Sequence, residues 1–481
     1  MSKKQMKFSI FILFVFLALL LSVWTIQKYH QKNDKRALRA SYHLSVESGW
    51  SNDLQTIIWN EEKQVYDLYF LHSKDGATNP FGPSGQDWYH TTTKDFYTFS
   101  KQNTAIVSQG GDEERGWKTA WTGSIIQSDG RIAGTKNGQL VAYLSGQRKD
   151  NGQQAVWAIA SEDNGETFTK ILNNGDFLLD ASQAENQTDF RDPYVFRLKN
   201  DFYMYVAEGD YIGVYRSDDG LTWQLADGNG MSKIFPETFF NGRNWTGNAP
   251  VECPVIKTMV LPDGRQKQVL FFGAKDASKG ETTGTYYTVG RVDEHGLFHA
   301  EKETLRLDAG SDFYGANFSG TADLSQSNTE LIALAWIGNW NYTAKGVHVD
   351  EAAEKELLDT LGSYSLARNI RLDADLTLRQ EIQAPQGNKI VDWQLIGYNL
   401  KDHQPHKDLT PNPTPTPQPT PVPQPETPKQ GDKVGKGVPV QRASVLPNTA
   451  TTSSSTALMT GLVTLITAGF VAMTYRGKHE R

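Results

Sequence analysis

The chain has 481 residues, a formal net charge of −7 and a sequence pI of about 5.9. Lysine and arginine are scattered through its central region, so the sequence shows no basic patch for a nucleic acid, and we exclude DNA and RNA as partners. Its single cysteine excludes an internal disulfide, and the chain is long enough to hold its fold by burying a sizeable core.

The N-terminal segment, residues 1–30, is predicted to be a signal peptide or a membrane anchor. Three lysines precede an apolar run that extends from Phe8 to about Ile26. The sequence has no obvious small-residue cleavage site, so both interpretations stay open.

The region 40–400 is predicted to be all-β. Apolar strands recur at a spacing of roughly 60 to 75 residues, which is the size of four antiparallel strands with their turns. Most repeats continue with a tight Asp/Gly turn and an aromatic plug, at Phe99, Phe168, Trp223 and Phe298. Five repeats predict a five-bladed β-propeller, and a β-sandwich is the alternative. Residues 350–363 are predicted to form one amphipathic surface helix.

The C-terminal part is predicted to tether the chain. Residues 403–445 alternate Pro with Thr and Gln, which is typical of an extended stalk, and residues 446–481 contain an apolar run at about 457–474 and a basic tail. The segment "LPNTA" resembles the sorting signal of Gram-positive wall-anchored proteins, with Ala450 in place of its glycine; the alternative is a plain membrane helix. Positive charges beside both apolar runs place the middle of the chain outside the cell, at the cell surface.

Three carboxylates stand at equivalent positions of the repeats. Five segments precede the apolar strands by one hairpin, and as innermost strands they would begin around one mouth of the channel. Three of these segments contain an acid near their start: Asp53, Asp192 and Glu252. Retaining hydrolysis of a glycosidic bond needs a carboxylate nucleophile and a carboxylic acid about 5 to 5.5 Å apart. Crowded acids raise the pKa of the least solvated one, which suits that acid to be the proton donor. The alternative is that each acid by itself only stabilises a turn.

Six sequence boxes, in order from about Tyr42 to about Pro385, resemble those of glycoside hydrolase family 32. These are the β-fructosidases, which include invertases, levanases and inulinases. The boxes are "GWSND", "WYHTTTKDFYTF", "WTGS", "FRDP", "ECP" and "LDAGSDFYGANF" with "AWIGNWNY". The family usually appends a β-sandwich to its propeller, and we expect that module to be absent because the Pro-rich stalk begins almost at once.

The resemblance implies a role for each matched residue. Asp53 would be the nucleophile, Glu252 the general acid/base and Asp192 the stabiliser of the transition state. The implied contacts to the sugar in the first subsite are Asn52, Trp88, Ser124 and Arg191. Arg191 would keep the neighbouring Asp192 ionised.

Two departures from the family pattern leave the subsite preference open. Leu54, Gln55 and Thr56 replace Pro-Asn-Gly after the nucleophile, and Leu71 and His72 stand where many members have a sugar-binding Gln. Cys253 is not predicted to be the nucleophile, because the adjacent acid would raise its pKa. We expect its side chain on the opposite face of the strand, packed under the pocket.

The sequence thus predicts an exported, surface-tethered, monomeric retaining β-fructosidase that needs no metal or organic cofactor. Its substrates would be fructans of the levan or inulin type, fructo-oligosaccharides or sucrose. The alternatives are a fructosyltransferase, an arabinan- or xylan-directed five-bladed carbohydrase, and a catalytically silent surface lectin.

Overall fold

The computed structural model describes the central part of the chain. The described residues are 5, 20–25, 42–74, 85–108, 116–184, 188–226, 233–234, 250–276, 280–340 and 360–383. The chain divides into two units, residues 1–407 and 408–481, and every described residue belongs to the first unit.

The described residues form five sheets, each built mainly from consecutive antiparallel strands. The first contains β1 (Gly49–Asn60), β2 (Val65–Ser73), β3 (Gln86–Thr93) and β4 (Asn103–Ile106). The second contains β5 (Gly123–Gln127), β6 (Leu140–Gln147), β7 (Gln154–Ala160), β8 (Lys170–Ile171) and β9 (Leu179–Asp180). Two short 3-10 turns, Asn173–Gly175 and Ala181–Gln183, flank β9.

The remaining three sheets repeat this arrangement. The third contains β10 (Arg191–Leu198), β11 (Asp201–Glu208), β12 (Tyr211–Ser217), β13 (Gln224–Leu225) and β14 (Lys233–Ile234). The fourth contains β15 (Glu252–Val260), β16 (Gln266–Ala274), β17 (Gly284–Val292), β18 (Phe298–Ala300) and β19 (Leu305–Arg306). The fifth contains β20 (Tyr314–Phe318), β21 (Leu331–Trp336), β23 (Arg368–Leu372) and β24 (Leu378–Ile382), whereas β22 (Thr360–Leu361) joins the first sheet.

The first long strand of each sheet contributes to a closed inner ring. β1 packs against β5 and β20, β10 packs against β5 and β15, and β15 also packs against β20. These five strands are the five segments that the sequence predicts to be innermost. The prediction of an all-β, five-bladed propeller is therefore confirmed, and the β-sandwich alternative is excluded.

The core lies between the blades, and this explains why many strands have apolar residues on both faces. Along β6, Val141 and Tyr143 pack toward the third blade, whereas Ala142 and Leu144 pack toward the first blade. Both faces of the strand are thus removed from water, so its sequence is a continuous apolar run instead of an alternating one.

A segment after the fifth blade's second strand closes the ring. β22 pairs in parallel with the start of β1, at Gly49 and Trp50. The backbone N–H of Tyr364 donates to Leu44 O at 2.9 Å, and the Tyr364 hydroxyl donates to Asn52 O at 2.5 Å. These bonds cover the edge of the first sheet and fix the strand that carries Asp53.

The Asp/Gly turns fold as the sequence predicts. In the second blade Asp163 Oδ1 accepts the N–H of Thr167, and in the third blade Asp219 Oδ1 accepts the N–H groups of Leu221 and Thr222. The aromatic plugs Phe168, Trp223 and Phe298 are buried. The first blade differs, because Phe96 at a positive φ of 60° is buried there and Phe99 is only half-buried.

Most of the two chain ends lies outside the described residues. This holds for the Pro-rich segment and the sorting-like segment. Residues 350–359 of the predicted helix also lie outside the described residues, whereas residues 360–363 are not helical, because Thr360–Leu361 form β22, so the helix prediction is wrong there. Of the N-terminal apolar run, residues 20–25 are described and are helical. In the described part of the chain, no helix is long and apolar enough to cross a membrane. The domain boundaries at both ends stay predictions.

Phe168→Ala should destabilise the propeller strongly. The Phe168 ring is fully buried and packs edge-on against Tyr69, with ring centroids 5.7 Å apart. Its removal leaves a cavity between two blades, and we expect the free energy of unfolding to fall by about 3 to 5 kcal/mol. Phe99→Ala, the same change at the matched position of the first blade, should cost clearly less. Urea unfolding of both variants measures the difference, and equal losses would contradict the plug assignment.

Candidate active site

The three acids predicted from the repeats line one cavity at the mouth of the channel. Asp53 lies in β1, Asp192 in β10 and Glu252 begins β15, and the cavity measures about 450 Å³. The structure thus brings together three side chains from three blades that are far apart in sequence.

Irregular backbone at the start of the inner strands aims these side chains. Strand pairing shifts register around Asp53 in β1, between Arg191 and Tyr194 in β10, and between Glu252 and Val255 in β15. Asp192 has a φ of 61° and Cys253 a φ of 50°, a region that non-glycine residues rarely adopt. Bulges and strained residues of this kind are common where a strand must turn a functional side chain out of the regular pleat.

Asp53 is buried and only partly hydrogen-bonded. Its Oδ2 accepts the Thr122 hydroxyl at 3.2 Å, whereas its Oδ1 has no hydrogen-bond partner among the described residues. Burial, and then the negative charges of Asp192 and Glu252, raise the pKa of Asp53 to about 7. Oδ1 is thus a buried acceptor without a described partner, and it lies on the side of the carboxylate that packs against Gly315.

Asp192 is held by the strand that carries Glu252. Its Oδ2 accepts the backbone N–H of Cys253 at 2.9 Å, and its own N–H donates to Ser145 Oγ at 3.1 Å. Burial raises the pKa of Asp192 to about 6, although the positive charge of Arg191 acts in the opposite direction. The positive charge of Arg191 thus lowers the pKa of Asp192, as the sequence predicts. The Arg191 guanidinium, however, donates its hydrogen bonds to Glu252 and Asp189 and not to Asp192.

Glu252 is fixed through both of its oxygens. Oε1 accepts Arg191 Nη2 at 2.8 Å and Nε at 3.1 Å, and Oε2 accepts the Tyr314 hydroxyl. Arg191 also donates to Asp189 Oδ1 at 2.6 Å, and its pKa is raised by the charges of Glu252 and Asp192 although burial opposes this. The side chain of Glu252 is 16% exposed, more than those of the two buried aspartates.

Crowding and burial raise the pKa values of the least solvated acids, as the sequence predicts, whereas the assignment of the proton donor stays a prediction. Asp53 and Asp192 are the most buried acids and have raised pKa values, whereas Glu252 is partly exposed. Burial by itself would make Asp53 the proton donor, so the roles have to be assigned from hydrogen bonding instead. A raised pKa also makes an ionised carboxylate more basic, which favours nucleophilic attack.

Cys253 does not line the cavity, which agrees with the expectation that it packs beneath it. Its Sγ lies 3.6 Å from Asp192 Oδ2 and 3.7 Å from Asp53 Oδ2, between the two aspartates. The positive φ of Cys253 turns its side chain away from the alternation of a regular strand. Burial and the three neighbouring carboxylates raise the pKa of this thiol well above its usual value, so it stays protonated.

The predicted sugar-binding residues divide into two groups. Asn52 and Arg191 line the cavity, and Asn52 Oδ1 accepts Gln86 Nε2 at 2.9 Å. Trp88 and Ser124 are buried and do not line it. Trp88 donates to Trp121 O at 2.8 Å, and Ser124 Oγ donates to Pro193 O at 2.9 Å, so both support the wall of the cavity from behind.

Sequence reasoning missed several residues of the cavity. Gln86, Thr122, Gln154, Asp189 and Trp340 line it, and Tyr314 binds Glu252. Thr122, Tyr314 and Trp340 lie inside the sequence boxes that resemble those of the family, so their neighbours in sequence indicated that they could be near the site. Gln86, Gln154 and Asp189 lie on or beside strands without a distinctive pattern, and only the packing of the blades brings them to the cavity.

Most of the residues that depart from the family pattern are buried and do not line the cavity. Leu54 and Gln55 are buried, and Gln55 Nε2 donates to the backbone O of Asp53 at 2.9 Å. Leu71 lines the cavity, whereas His72 stacks on Tyr89 with ring centroids 3.6 Å apart. Of these four residues, Leu71 is the one that lines the cavity.

Fold and site together define the class of protein. A five-bladed propeller that gathers three carboxylates, an arginine and tryptophan side chains in one pocket has the architecture of a glycosidase. The family model for the glycosyl hydrolases family 32 N-terminal domain matches residues 43–383, so the chain belongs to this family.

Individual relatives are more distant. A levanbiose-producing levanase of Bacillus subtilis is 28% identical over 342 residues, which cover 69% of this chain and 60% of the relative. An invertase of Debaryomyces hansenii is 27% identical and covers 63% of this chain and 53% of the relative. The structure of a β-fructofuranosidase from Schwanniomyces occidentalis complexed with fructosyl-erythritol has a TM-score of 0.57 at 25% identity, with coverage of 72% and 63%. The chain therefore spans less than two thirds of the length of these relatives.

Asp53→Asn should stabilise the propeller at pH 8. The folded state raises the pKa of Asp53 from 3.8 to about 7, so the contribution of this group to stability is lost as pH rises between these values. The asparagine amide does not ionise, so the variant does not lose this stability as pH rises. We therefore expect a gain in the free energy of unfolding at pH 8 that disappears toward pH 4. Denaturant unfolding at several pH values measures it.

Asp219→Asn is the matched control with the opposite sign. Hydrogen bonds from the turn backbone lower the pKa of Asp219, so its carboxylate stabilises the fold above its unfolded pKa. This variant should lose stability at pH 8. A loss of the same kind in Asp53→Asn would contradict the electrostatic description of the pocket.

Proposed function

We propose that this chain is a retaining β-fructosidase that hydrolyses fructosyl linkages of fructans, fructo-oligosaccharides or sucrose. Membership of glycosyl hydrolase family 32 supports the reaction class. The levanase and the invertase among its relatives support fructose-containing substrates, and the three-acid pocket supplies the necessary groups.

The observation that supports this proposal most directly is that Asp53, Asp192 and Glu252 line one cavity. Retaining glycoside hydrolysis needs a carboxylate nucleophile beside a carboxylic acid, and this cavity supplies both. Among the described residues Asp53 accepts the Thr122 hydroxyl and the Cys253 thiol, whereas Glu252 accepts Arg191 and Tyr314 and Asp192 accepts a backbone N–H. The protein thus stabilises the charge of Asp53 least, which suits this carboxylate to attack a substrate. Asp53 is therefore the nucleophile of the proposed mechanism.

Glu252 has the properties of the general acid/base. It is the most exposed of the three acids, so a water molecule and a proton can reach it between the two steps. Arg191 and Tyr314 donate to the carboxylate that remains after Glu252 gives up its proton, and they keep it in place for the second step. Both residues thus position Glu252.

The reaction is then a double displacement. A carboxylate oxygen of Asp53 forms a bond to the anomeric carbon of the fructosyl unit while the bond to the leaving oxygen breaks, and Glu252 transfers its proton to that oxygen. Glu252 next removes a proton from water, whose oxygen attacks the same carbon and releases Asp53. Asp192, held by the Cys253 N–H, binds ring hydroxyls of the sugar.

Asp53→Asn and Glu252→Gln should differ on an activated substrate. Asp53→Asn removes the nucleophile, so activity on sucrose, levan, inulin and an aryl β-fructoside should fall by roughly 10⁴-fold. Glu252→Gln should lose activity on the natural sugars but retain much more on the aryl fructoside, whose leaving group needs no proton. Initial rates on both substrate types measure the difference.

The products of the unmodified chain decide between the alternatives. Fructose as the only product indicates attack from the chain end, oligomers indicate internal cleavage, and longer saccharides indicate fructosyl transfer. Binding of fructan without any product would make the chain a lectin, and products from arabinan or xylan alone would indicate another carbohydrase. Either of these last two results overturns the proposal.

We also propose that the chain acts outside the cell as a monomer attached to the membrane or the cell wall. The support is the sequence of its two ends, and a tether suits a polymeric substrate that a cell cannot import. Activity should remain with intact cells and be lost from them after brief external proteolysis, and the soluble propeller should elute as a monomer in size-exclusion chromatography. Activity found only in the cytosolic fraction would contradict this placement.

A further inference from the structure

A second cavity of about 440 Å³ lies at the opposite end of the channel. It is lined by the later residues of the same inner strands, including Ile58 of β1, Gln127 of β5, Arg197 of β10 and Lys257 of β15. Since the acids stand at the beginnings of these strands, the two cavities occupy the two mouths of the propeller. The described residues that line one cavity do not line the other.

A polar floor separates the two cavities. Gln55 Oε1 accepts the N–H of Gly123 at 2.8 Å, and Asn317 Nδ2 donates to Gln55 O at 2.6 Å. Ser124 joins the second and third blades at the same level, with its Oγ 2.9 Å from Pro193 O. These side chains are buried and bonded to backbone, so the second cavity is a site of its own and not an extension of the first.

Lys257 brings an ammonium group into the second cavity without a carboxylate partner. The residue is only 4% exposed, and its Nζ donates to Gly320 O at 2.8 Å and, at 3.4 Å, to Thr321 O. No described carboxylate forms an ion pair with it, and burial lowers its pKa to about 7. Its Nζ also lies 5.8 Å from the centroid of the Tyr194 ring. Buried charges are normally paired, so an anion in this cavity would stabilise the ammonium form of Lys257.

Arg197 adds a second cation, which is ion-paired but not hydrogen-bonded. Its guanidinium forms ion pairs with Asp129 Oδ2 at 3.6 Å and Asp323 Oδ2 at 3.9 Å, and it makes no side-chain hydrogen bond to a described residue. Glu330, the acid among the described lining residues, has Arg371 Nη2 2.5 Å from its Oε2, but Arg371 is 59% exposed and this oxygen makes no aligned hydrogen bond, so the pair offsets only part of the charge. The N–H groups of the Arg197 guanidinium thus remain available as donors, although two aspartates offset part of its charge.

We propose that this cavity binds a phosphate group, with Lys257 and Arg197 as its donors. Ammonium and guanidinium groups recognise phosphate oxygens through charge-assisted hydrogen bonds. The cavity has the size of a small-molecule site and is larger than a free phosphate ion, and Trp59 and Tyr66 provide an aromatic wall. The group belongs either to inorganic phosphate or to a small phosphate monoester. This inference does not depend on the proposed β-fructosidase activity.

Isothermal titration of the purified chain, at constant ionic strength set with chloride, tests the proposal. We expect saturable binding of inorganic phosphate or glucose 6-phosphate with a Kd of about 1 mM or tighter. Lys257→Met should raise this Kd roughly tenfold or more, and Arg197→Gln should raise it as well. If glucose 6-phosphate binds roughly tenfold more tightly than inorganic phosphate, the ligand is a phosphate monoester. If the two bind equally well, the ligand is the free phosphate ion.

Lys267→Met is the matched control. It removes the same charge from the same blade, but Lys267 pairs with Glu301 and does not line the cavity, so phosphate affinity should not change. Lys257→Met should also leave the rate of fructan hydrolysis unchanged. Absence of saturable binding at about 10 mM ligand overturns the proposal, as does a Lys257→Met chain that binds equally well. If Lys257→Met fails to fold, an unchanged affinity in Arg197→Gln overturns it.

Discussion

The packing of five inner strands into a closed ring is the constraint on which the rest of this structure depends. β1, β5, β10, β15 and β20 each contact their neighbours around the channel, and β22 secures the junction between the last blade and the first. Because every inner strand begins at the same mouth, acids separated by many residues in sequence meet there. The ring thus creates the pocket and also forces like charges together.

The electrostatics of the pocket follow from that enforced proximity. Asp53 and Asp192 are buried beside each other with the Cys253 thiol between them, and both have raised pKa values. Arg191 offsets part of this negative charge, and its direct ion pairs are with Glu252 and Asp189. Such an arrangement opposes folding at neutral pH, which is the usual compromise between stability and a reactive site.

The two mouths of the channel have opposite character. Carboxylates dominate the mouth where the strands begin, whereas Lys257 and Arg197 face the cavity where they end. The buried layer of Gln55, Ser124 and Asn317 keeps the two apart. The same five strands thus line both the cavity of the proposed sugar site and the cavity of the proposed phosphate site, because each cavity uses a different portion of the strands.

The sequence by itself determined the number of blades, the five inner strands, the three acids and the Asp turns. These features are local, since strand periodicity, turn residues and short boxes can be found without knowing which blades touch. The tertiary structure decided which way the Cys253 side chain points and which residues bind Arg191 and Tyr314. It also decided that Trp88 and Ser124 are buried, and that Phe96 instead of Phe99 is the buried aromatic residue of the first blade's turn. Each of these depends on a positive φ, a bulge or a neighbour from another blade. Such contacts are fixed by the packing of distant segments, and no spacing within one segment records them.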